Sequence, residues 1–243
     1  YMIHIIYYII LIYFLLGGVG FYFINRKREL KIARKSNIKF VTYFFIINIL
    51  FFSIVVNPVA FRYLSVLIIG VGMFELFRLF HQSDYKHKRF YFFSLLIYGV
   101  LSAGFLLFGT LQKELILFSF IVLSIFDSFS QITGQLWGRK KLFPTISPNK
   151  TLGGFIGGGL IAIGSAFLLK NLFPESELKS LILTIGVVLF AFAGDLAASF
   201  YKRKFNVKDY SKLIPGHGGF LDRFDSLIVA GAWVAFCVYV LKF

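Results

Sequence analysis

Apolar residues run along this chain in long blocks, without the strict alternation of strands or the half-apolar stripe of a water-soluble helix. Eight blocks lie near residues 3–25, 40–57, 60–81, 90–109, 115–135, 152–172, 180–201 and 220–241. Each comes close to the roughly 20 apolar residues that a helix needs to cross a bilayer. Short polar segments separate them, and Asn57-Pro58 marks a tight turn between the second and third. The pattern predicts an all-α integral membrane protein of about eight transmembrane helices, a single polytopic domain over residues 1–243. No internal repeat or low-complexity linker interrupts it. The first block is too long for a cleaved leader and no small-residue cleavage site follows it, so it reads as a retained span. Tyr1, ahead of Met2, carries no part of the functional argument.

Composition agrees: 58% of the 243 residues are hydrophobic, only 15% are charged, and the mean hydropathy is +0.79. A net charge of +15 would suit a nucleic-acid partner, but its distribution argues against one. Nineteen lysines and arginines fall in four loops, at residues 26–39, 86–89, 139–150 and 202–212, all on one side of the layout. Five, namely Arg62, Lys113, Lys170, Lys179 and Lys242, fall on the other. That asymmetry is the positive-inside pattern. It puts the N-terminus outside and the basic loops in the cytoplasm, and attraction to anionic membrane lipids is compatible with it. The single cysteine, Cys237, has no partner for an intrachain disulfide.

The two halves differ in polarity. Residues 1–112 place few polar groups inside their spans; Glu75 is an exception that reads as facing a neighbouring helix, and no chemistry is evident there. The basic run 26–39 reads as a solvated cytoplasmic segment or a short interfacial helix. In residues 113–243 four acids converge on one depth near the cytoplasmic face: Asp127, Asp195, Asp222 and Asp225. Holding an ionisable group in hydrocarbon costs on the order of 3 kcal/mol, so such groups face a polar cavity and have partners. Asp222 and Asp225, three apart, share a helix face, and Asp195 arrives from the preceding span. Carboxylate oxygens suit a hard cation such as Mg²⁺, and no Cys or His cluster has zinc spacing.

Two loops flank these acids. The first runs from Gly138 and Arg139 through Ser147-Pro148-Asn149-Lys150-Thr151 to Gly154, and the second from Lys202 and Arg203 through Lys208 and Asp209 to Pro215-Gly216-His217-Gly218-Gly219. Lys and Arg give charge-assisted hydrogen bonds to phosphate, and glycine lets backbone N–H groups approach an anion. The pairing of cations and glycines with an acidic site fits a triphosphate and a lipid phosphate held together. His217 suits phosphate contact or loop ordering better than proton transfer, since a phosphate oxygen is already an anionic nucleophile.

The second loop and its flanks, from Ser199-Phe200-Tyr201-Lys202-Arg203 through Leu213-Ile214-Pro215-Gly216-His217-Gly218-Gly219-Phe220-Leu221-Asp222-Arg223-Phe224-Asp225, closely resemble the signature of the phosphatidate cytidylyltransferase family. The segment Ser147–Thr151, with Gly138, Arg139 and Gly154, resembles its second recurrent stretch. The resemblance covers about residues 127–226. It implies a helical membrane fold, commonly a homodimer, of a bacterial inner membrane. It also implies use of CTP and Mg²⁺, with a monovalent cation such as K⁺ beside it, to convert phosphatidate to CDP-diacylglycerol and pyrophosphate. The family's metal ligands map onto Asp195 and Asp222, while Asp225, Lys202, Arg203, Lys208, Asp209 and His217 match other motif positions. Two acids of the family pattern are replaced, by Gly153 and Ala198, and Asp127-Ser128-Phe129-Ser130-Gln131 departs from its usual aromatic-and-alanine run. A divergent branch acting on a related lipid phosphate fits those departures.

The residues then predict an in-line attack of lipid phosphate on the α-phosphorus of CTP. Asp195, Asp222 and Asp225 would hold the metal, and Lys150, Lys202, Arg203 and Arg223 would clamp phosphates. Asp127, Arg139, Ser147, Thr151, Lys208, Asp209, Gly218 and Gly219 would contact substrate. The rivals are a CTP-dependent polyprenol kinase, which would release CDP, and a non-catalytic lipid-binding relative. A channel is disfavoured because the polar groups sit at one face. Gly153/Gly157 and Gly154/Gly158 form small-residue pairs four apart, suited to packing within the chain or at a dimer seam.

Overall fold

The long apolar blocks become helices because a backbone without water must bond to itself, and a helix does so within one segment. The computed structural model describes residues 2–26, 29–216 and 218–243. Its helices are α1 (Met2–Asn25), α2 (Leu30–Val55), α3 (Pro58–Gln82), α4 (Lys88–Phe108), α5 (Lys113–Trp137), α6 (Leu152–Leu168), α7 (Glu177–Lys204) and α8 (Leu221–Tyr239). Among the described residues, five segments are long and apolar enough to cross a membrane: Asn37–Val55, Val59–Gln82, Lys88–Phe108, Lys113–Trp137 and Glu177–Lys204. Many large apolar side chains point outward, as on Phe92, Phe93, Leu96 and Val100 of α4, which suits lipid and not water.

Helix ends follow local chemistry. The Asn57 side chain accepts from Val59 N at 2.9 Å, with Pro58 just inside α3; Thr151 and Ser176 accept from Gly154 N and Lys179 N to cap α6 and α7. Two boundaries differ from the sequence pattern. α2 begins at Leu30, so the basic run is largely the first turns of that helix; its Lys and Arg residues are good helix formers and nothing breaks them from the apolar part. α6 stops at Leu168 and gives way to a single 3₁₀ turn, Lys170–Leu172, ahead of Phe173-Pro174, where proline disfavours helix in the residue before it.

A second departure is a two-stranded antiparallel hairpin, β1 (Lys141–Phe143) with β2 (Ser147–Thr151), in what the pattern left as a loop. Lys141 faces Thr151 and Phe143 faces Ser147 across it, with an irregularity between. Strands this short carry too little alternation to be read from sequence.

The tightest packing joins α5 to α6 and α7 to α8, with α4 also laid on α8. A Cβ added at Gly158 would lie 2.7 Å from Ser130 N, at Gly157 2.7 Å from Thr133 Cβ, and at Gly154 2.6 Å from Ser130 O. The glycine ridge of α6 is therefore used against α5 within the chain, letting the two backbones meet. That contact sets where the hairpin and Asp127 stand.

Replacing Gly158 with Leu should wedge α5 from α6, cost about 2 kcal/mol or more, and lower the melting temperature in detergent by roughly 5 °C or more. Gly164→Ala, whose Cβ would meet nothing within 4 Å, should leave it unchanged or raise it.

Candidate functional site

Asp195 sits late in α7 and Asp222 in the first turn of α8, so the interhelix loop 205–220 folds back over both. They face a cavity of about 1020 Å³ bounded by α2, α5, α7, α8, the hairpin and that loop. Asp127, Ser147, Lys150, Thr151, Asp195, Lys202, Arg203, Lys208, Asp209, Asp222, Arg223 and Asp225 all line it. Arg139 is exposed and is not part of the cavity wall among the described residues. His217 lies outside the described residues.

Two of the cavity's lysines are ion-paired. Lys202 Nζ is 2.5 Å from Asp222 Oδ1, with side chains only 10% and 5% exposed. Lys150 Nζ is 2.6 Å from Asp195 Oδ2, but the Asp195 side chain is 43% exposed. The Lys150 ammonium also lies over the Phe192 ring, 4.4 Å from its centre. Lysines thus pair with both Asp222 and Asp195.

Asp222 is fastened further. Its Oδ2 accepts from Tyr210 N at 2.9 Å and Gly219 N at 2.8 Å, so one carboxylate ties both ends of the loop to α8. Gly218 adopts φ +90°, and a Cβ there would lie 3.1 Å from Asp222 Oδ2. Glycine is needed at 218 for that conformation and that approach. Gly218 and Gly219 thus back Asp222. Asp225 is buried and its Oδ1 accepts from Ser226 N at 2.7 Å. The Tyr210 hydroxyl donates to Ala198 O at 3.2 Å; burial, with the carboxylates of Asp225 and Asp222 close by, pushes that phenol well above its ordinary range and keeps it neutral.

Arg203 donates through Nε to Ile146 O at 3.2 Å and through Nη1 to Val207 O at 2.8 Å. It joins the hairpin turn to the second loop, and Thr151 likewise spends its hydroxyl on capping α6. At one of the replaced acids the reason is steric: a Cβ at Gly153 would lie 2.9 Å from Trp137 O, so the end of α5 occupies the space a glutamate would need. Ala198, the other, is buried.

Sequence reasoning gave no site role to six residues on three helices. Lys39 and Tyr43 of α2 line the cavity, and Thr42 Oγ1 donates to Pro215 O at 3.3 Å. Gln131 and Gln135 continue the polar face of α5 from Asp127 into the cavity wall. Glu75 of α3 is fully buried and accepts from Phe220 N and Leu221 N at the start of α8. A lone acid in an apolar span was the available signal.

A bundle of apolar helices that encloses ion-paired acids and further cations beside an apolar wall is the architecture of an all-α membrane protein with a charged internal cavity. The chain belongs to the cytidylyltransferase family, whose sequence pattern matches residues 2–241. It is similar to a phosphatidate cytidylyltransferase of Rickettsia felis, 33% identical over 189 residues that cover 74% of this chain and 82% of that protein. Proteins of the same name from Staphylococcus epidermidis and Staphylococcus saprophyticus are 40% and 42% identical over 142 residues, 56% of this chain and 54% of each. The chain thus spans about half the length of these staphylococcal relatives.

Among the described residues no three of His, Cys, Asp and Glu stand close enough together to cage a metal ion. The carboxylate donors nonetheless suit Mg²⁺, which takes one or two protein carboxylates and leaves its other positions to water and substrate phosphate.

Replacing Lys202 with Met should leave Asp222 buried without its counter-charge and cost about 3 kcal/mol of stability. Adding Asp222→Asn to that variant should recover part of the loss, as read by thermal unfolding in detergent.

Proposed function

We propose that this protein transfers CMP from CTP to phosphatidate or a related lipid phosphate, giving CDP-diacylglycerol or its counterpart and pyrophosphate. The observation that carries this reading is one cavity in which the cations of both loops meet five acids, Asp127, Asp195, Asp209, Asp222 and Asp225. Its inner wall, formed by Ile46, Ile47, Leu50 and Leu123, is apolar. Nucleotide phosphates suit the first surface and acyl chains the second. A volume near 1020 Å³ is at the upper end for ligand sites and leaves room for two head groups.

In the reaction a lipid phosphate oxygen forms a bond to the α-phosphorus of CTP while the bond to the bridging oxygen of the β-phosphate breaks. Lys150 and Lys208 neutralise phosphate charge, and Lys202 is held to Asp222. Arg223 faces the same space. One or two of the acids Asp195, Asp222 and Asp225 would hold Mg²⁺, Asp195 foremost because it is the most exposed of the ion-paired ones, and the ion would supply charge neutralisation to the phosphates. Because Asp195 is half exposed, an arriving phosphate draws Lys150 away from it at little cost, leaving a carboxylate open to the cation. Gly153 and Ala198 are then no bar to catalysis: the acids that remain and the lysines already balance the site.

All eight helices cross the bilayer in this reading, with the N-terminus outside and the cavity mouth at the cytoplasmic side of a bacterial inner membrane. α6, 17 residues long, would span about 26 Å, near the hydrocarbon thickness.

Purified protein given CTP, Mg²⁺ and phosphatidate in detergent should release pyrophosphate and form a CDP-lipid. Asp222→Asn should lower that rate by on the order of 10³-fold while still inserting into membranes. Release of CDP with a phosphorylated lipid alcohol would replace the reading with a lipid kinase, and no turnover of any lipid phosphate would favour a non-catalytic relative.

Orientation is open to single-cysteine labelling, since the natural Cys237 is fully buried. A membrane-impermeant thiol reagent should label Lys204→Cys in inverted vesicles only and Glu175→Cys in intact cells only; the reverse pattern would invert the topology.

A further inference from the structure

We propose that Glu75 is a positioning residue for this site, acting from the helical half that carries none of the motif residues; the proposal rests on the reading of the cavity given above. Glu75 Oε1 accepts from Phe220 N at 2.8 Å and from the Ser211 hydroxyl, and its Oε2 accepts from Leu221 N at 2.6 Å. Asp222 does the matching work from α8, accepting from Tyr210 N and Gly219 N. Each end of the loop 210–221 is therefore held twice, by neighbouring residues bonded to two different carboxylates: Tyr210 and Ser211 at one end, Gly219 and Phe220 at the other.

Gly219 lies between the two acids. A Cβ there would sit 2.8 Å from Glu75 Oε1 and 2.9 Å from Asp222 Oδ2, so the two carboxylates approach the same backbone from both sides. α8 has no side-chain cap of its own, because Phe220 occupies its N-cap position. The exposed N–H groups of its first turn, which favour a negative partner, are given one from α3 instead. The next residue of α3 completes the arrangement. Leu76 O accepts from the Tyr201 hydroxyl at 2.9 Å. Tyr201 directly precedes Lys202 and Leu221 directly precedes Asp222, so two consecutive residues of α3 fix both members of the buried ion pair. A purely structural carboxylate would need only partners; this one holds the residue beside Asp222, while the carbonyl next to it in α3 holds the residue beside Lys202.

The test uses the full chain in detergent, with Glu75→Gln, Ser211→Ala and, as a destabilised control, Phe61→Leu at the far end of the same helix, where the ring is 1% exposed. Turnover is measured at a temperature where each variant is folded, together with amide hydrogen exchange. Glu75→Gln should lower kcat by on the order of 30-fold or more with KM for CTP within about threefold, since it misplaces groups without removing a substrate contact. Amides of residues 210–222 should exchange about tenfold faster or more while those of α4 stay unchanged. Phe61→Leu should lose stability yet keep its kcat. Should Glu75→Gln fail to fold, Ser211→Ala removes a single bond and should still quicken exchange in 210–222 and lower kcat severalfold. Wild-type kcat in the folded Glu75→Gln or Ser211→Ala variant, or unaltered exchange in that segment, overturns the proposal. If the native chain turns over no CTP the cytidylyltransferase reading fails by itself, and the exchange measurement still decides the role of Glu75.

Discussion

A charge carried into an apolar bundle must bring its partner with it, and in this chain the partner of Asp222 is Lys202. The two side chains are almost wholly buried and 2.5 Å apart. They stand where the last turn of α7 meets the first turn of α8, so the cation lies at the negative end of one helix and the anion at the positive end of the other. Separating the pair would strand a charge in low dielectric. The interhelix loop, the approach of α3 and the depth of the cavity all follow from keeping these two helix ends together.

The other wall of the cavity is set by a different constraint. α5 and α6 pack closely because Gly154, Gly157 and Gly158 bring no side chains from α6, which lets Ser130 and Thr133 of α5 lie directly on its backbone. That contact brings the hairpin ahead of α6, with Lys150 and Thr151 at its end, across from Asp195. One wall is therefore held by charge and the other by the absence of side-chain bulk. Arg203, bonded to the carbonyls of Ile146 and Val207, spans the gap between them.

How much of this the sequence disclosed depends on the range of the interaction concerned. The helices were legible because hydrophobic block length is a local property: each predicted block coincides with one helix, to within a few residues except where the basic run joins α2 and where Pro174 trims α6. That Asp127, Asp195, Asp222 and Asp225 lie near one another was also legible, since helix direction can be counted along the chain, and all four line one cavity. The hairpin was not, because strands of three and five residues carry too little alternation to detect. Glu75 was visible as an anomaly but its partners were not: Phe220 and Leu221 lie more than half the chain away, and they offer backbone N–H groups that no side-chain motif announces.

The two ion pairs look alike in distance and differ in consequence. Lys202 and Asp222 are shielded from water and further bonded to loop amides, so their mutual attraction is strong and the geometry is fixed. Lys150 and Asp195 are equally close, but the Asp195 carboxylate is 43% exposed and its Oδ1 has only a long 3.4 Å contact from the Ser199 hydroxyl. Water screens that pair, and its net worth is small. On the proposed reading, a site that accepts a highly charged nucleotide needs a rigid part to orient it and a part whose charges are easily exchanged for those of the ligand. Burial alone sorts the two pairs into those parts: the same residue types, at nearly the same separation, act as scaffold on one wall and as an exchangeable contact on the other.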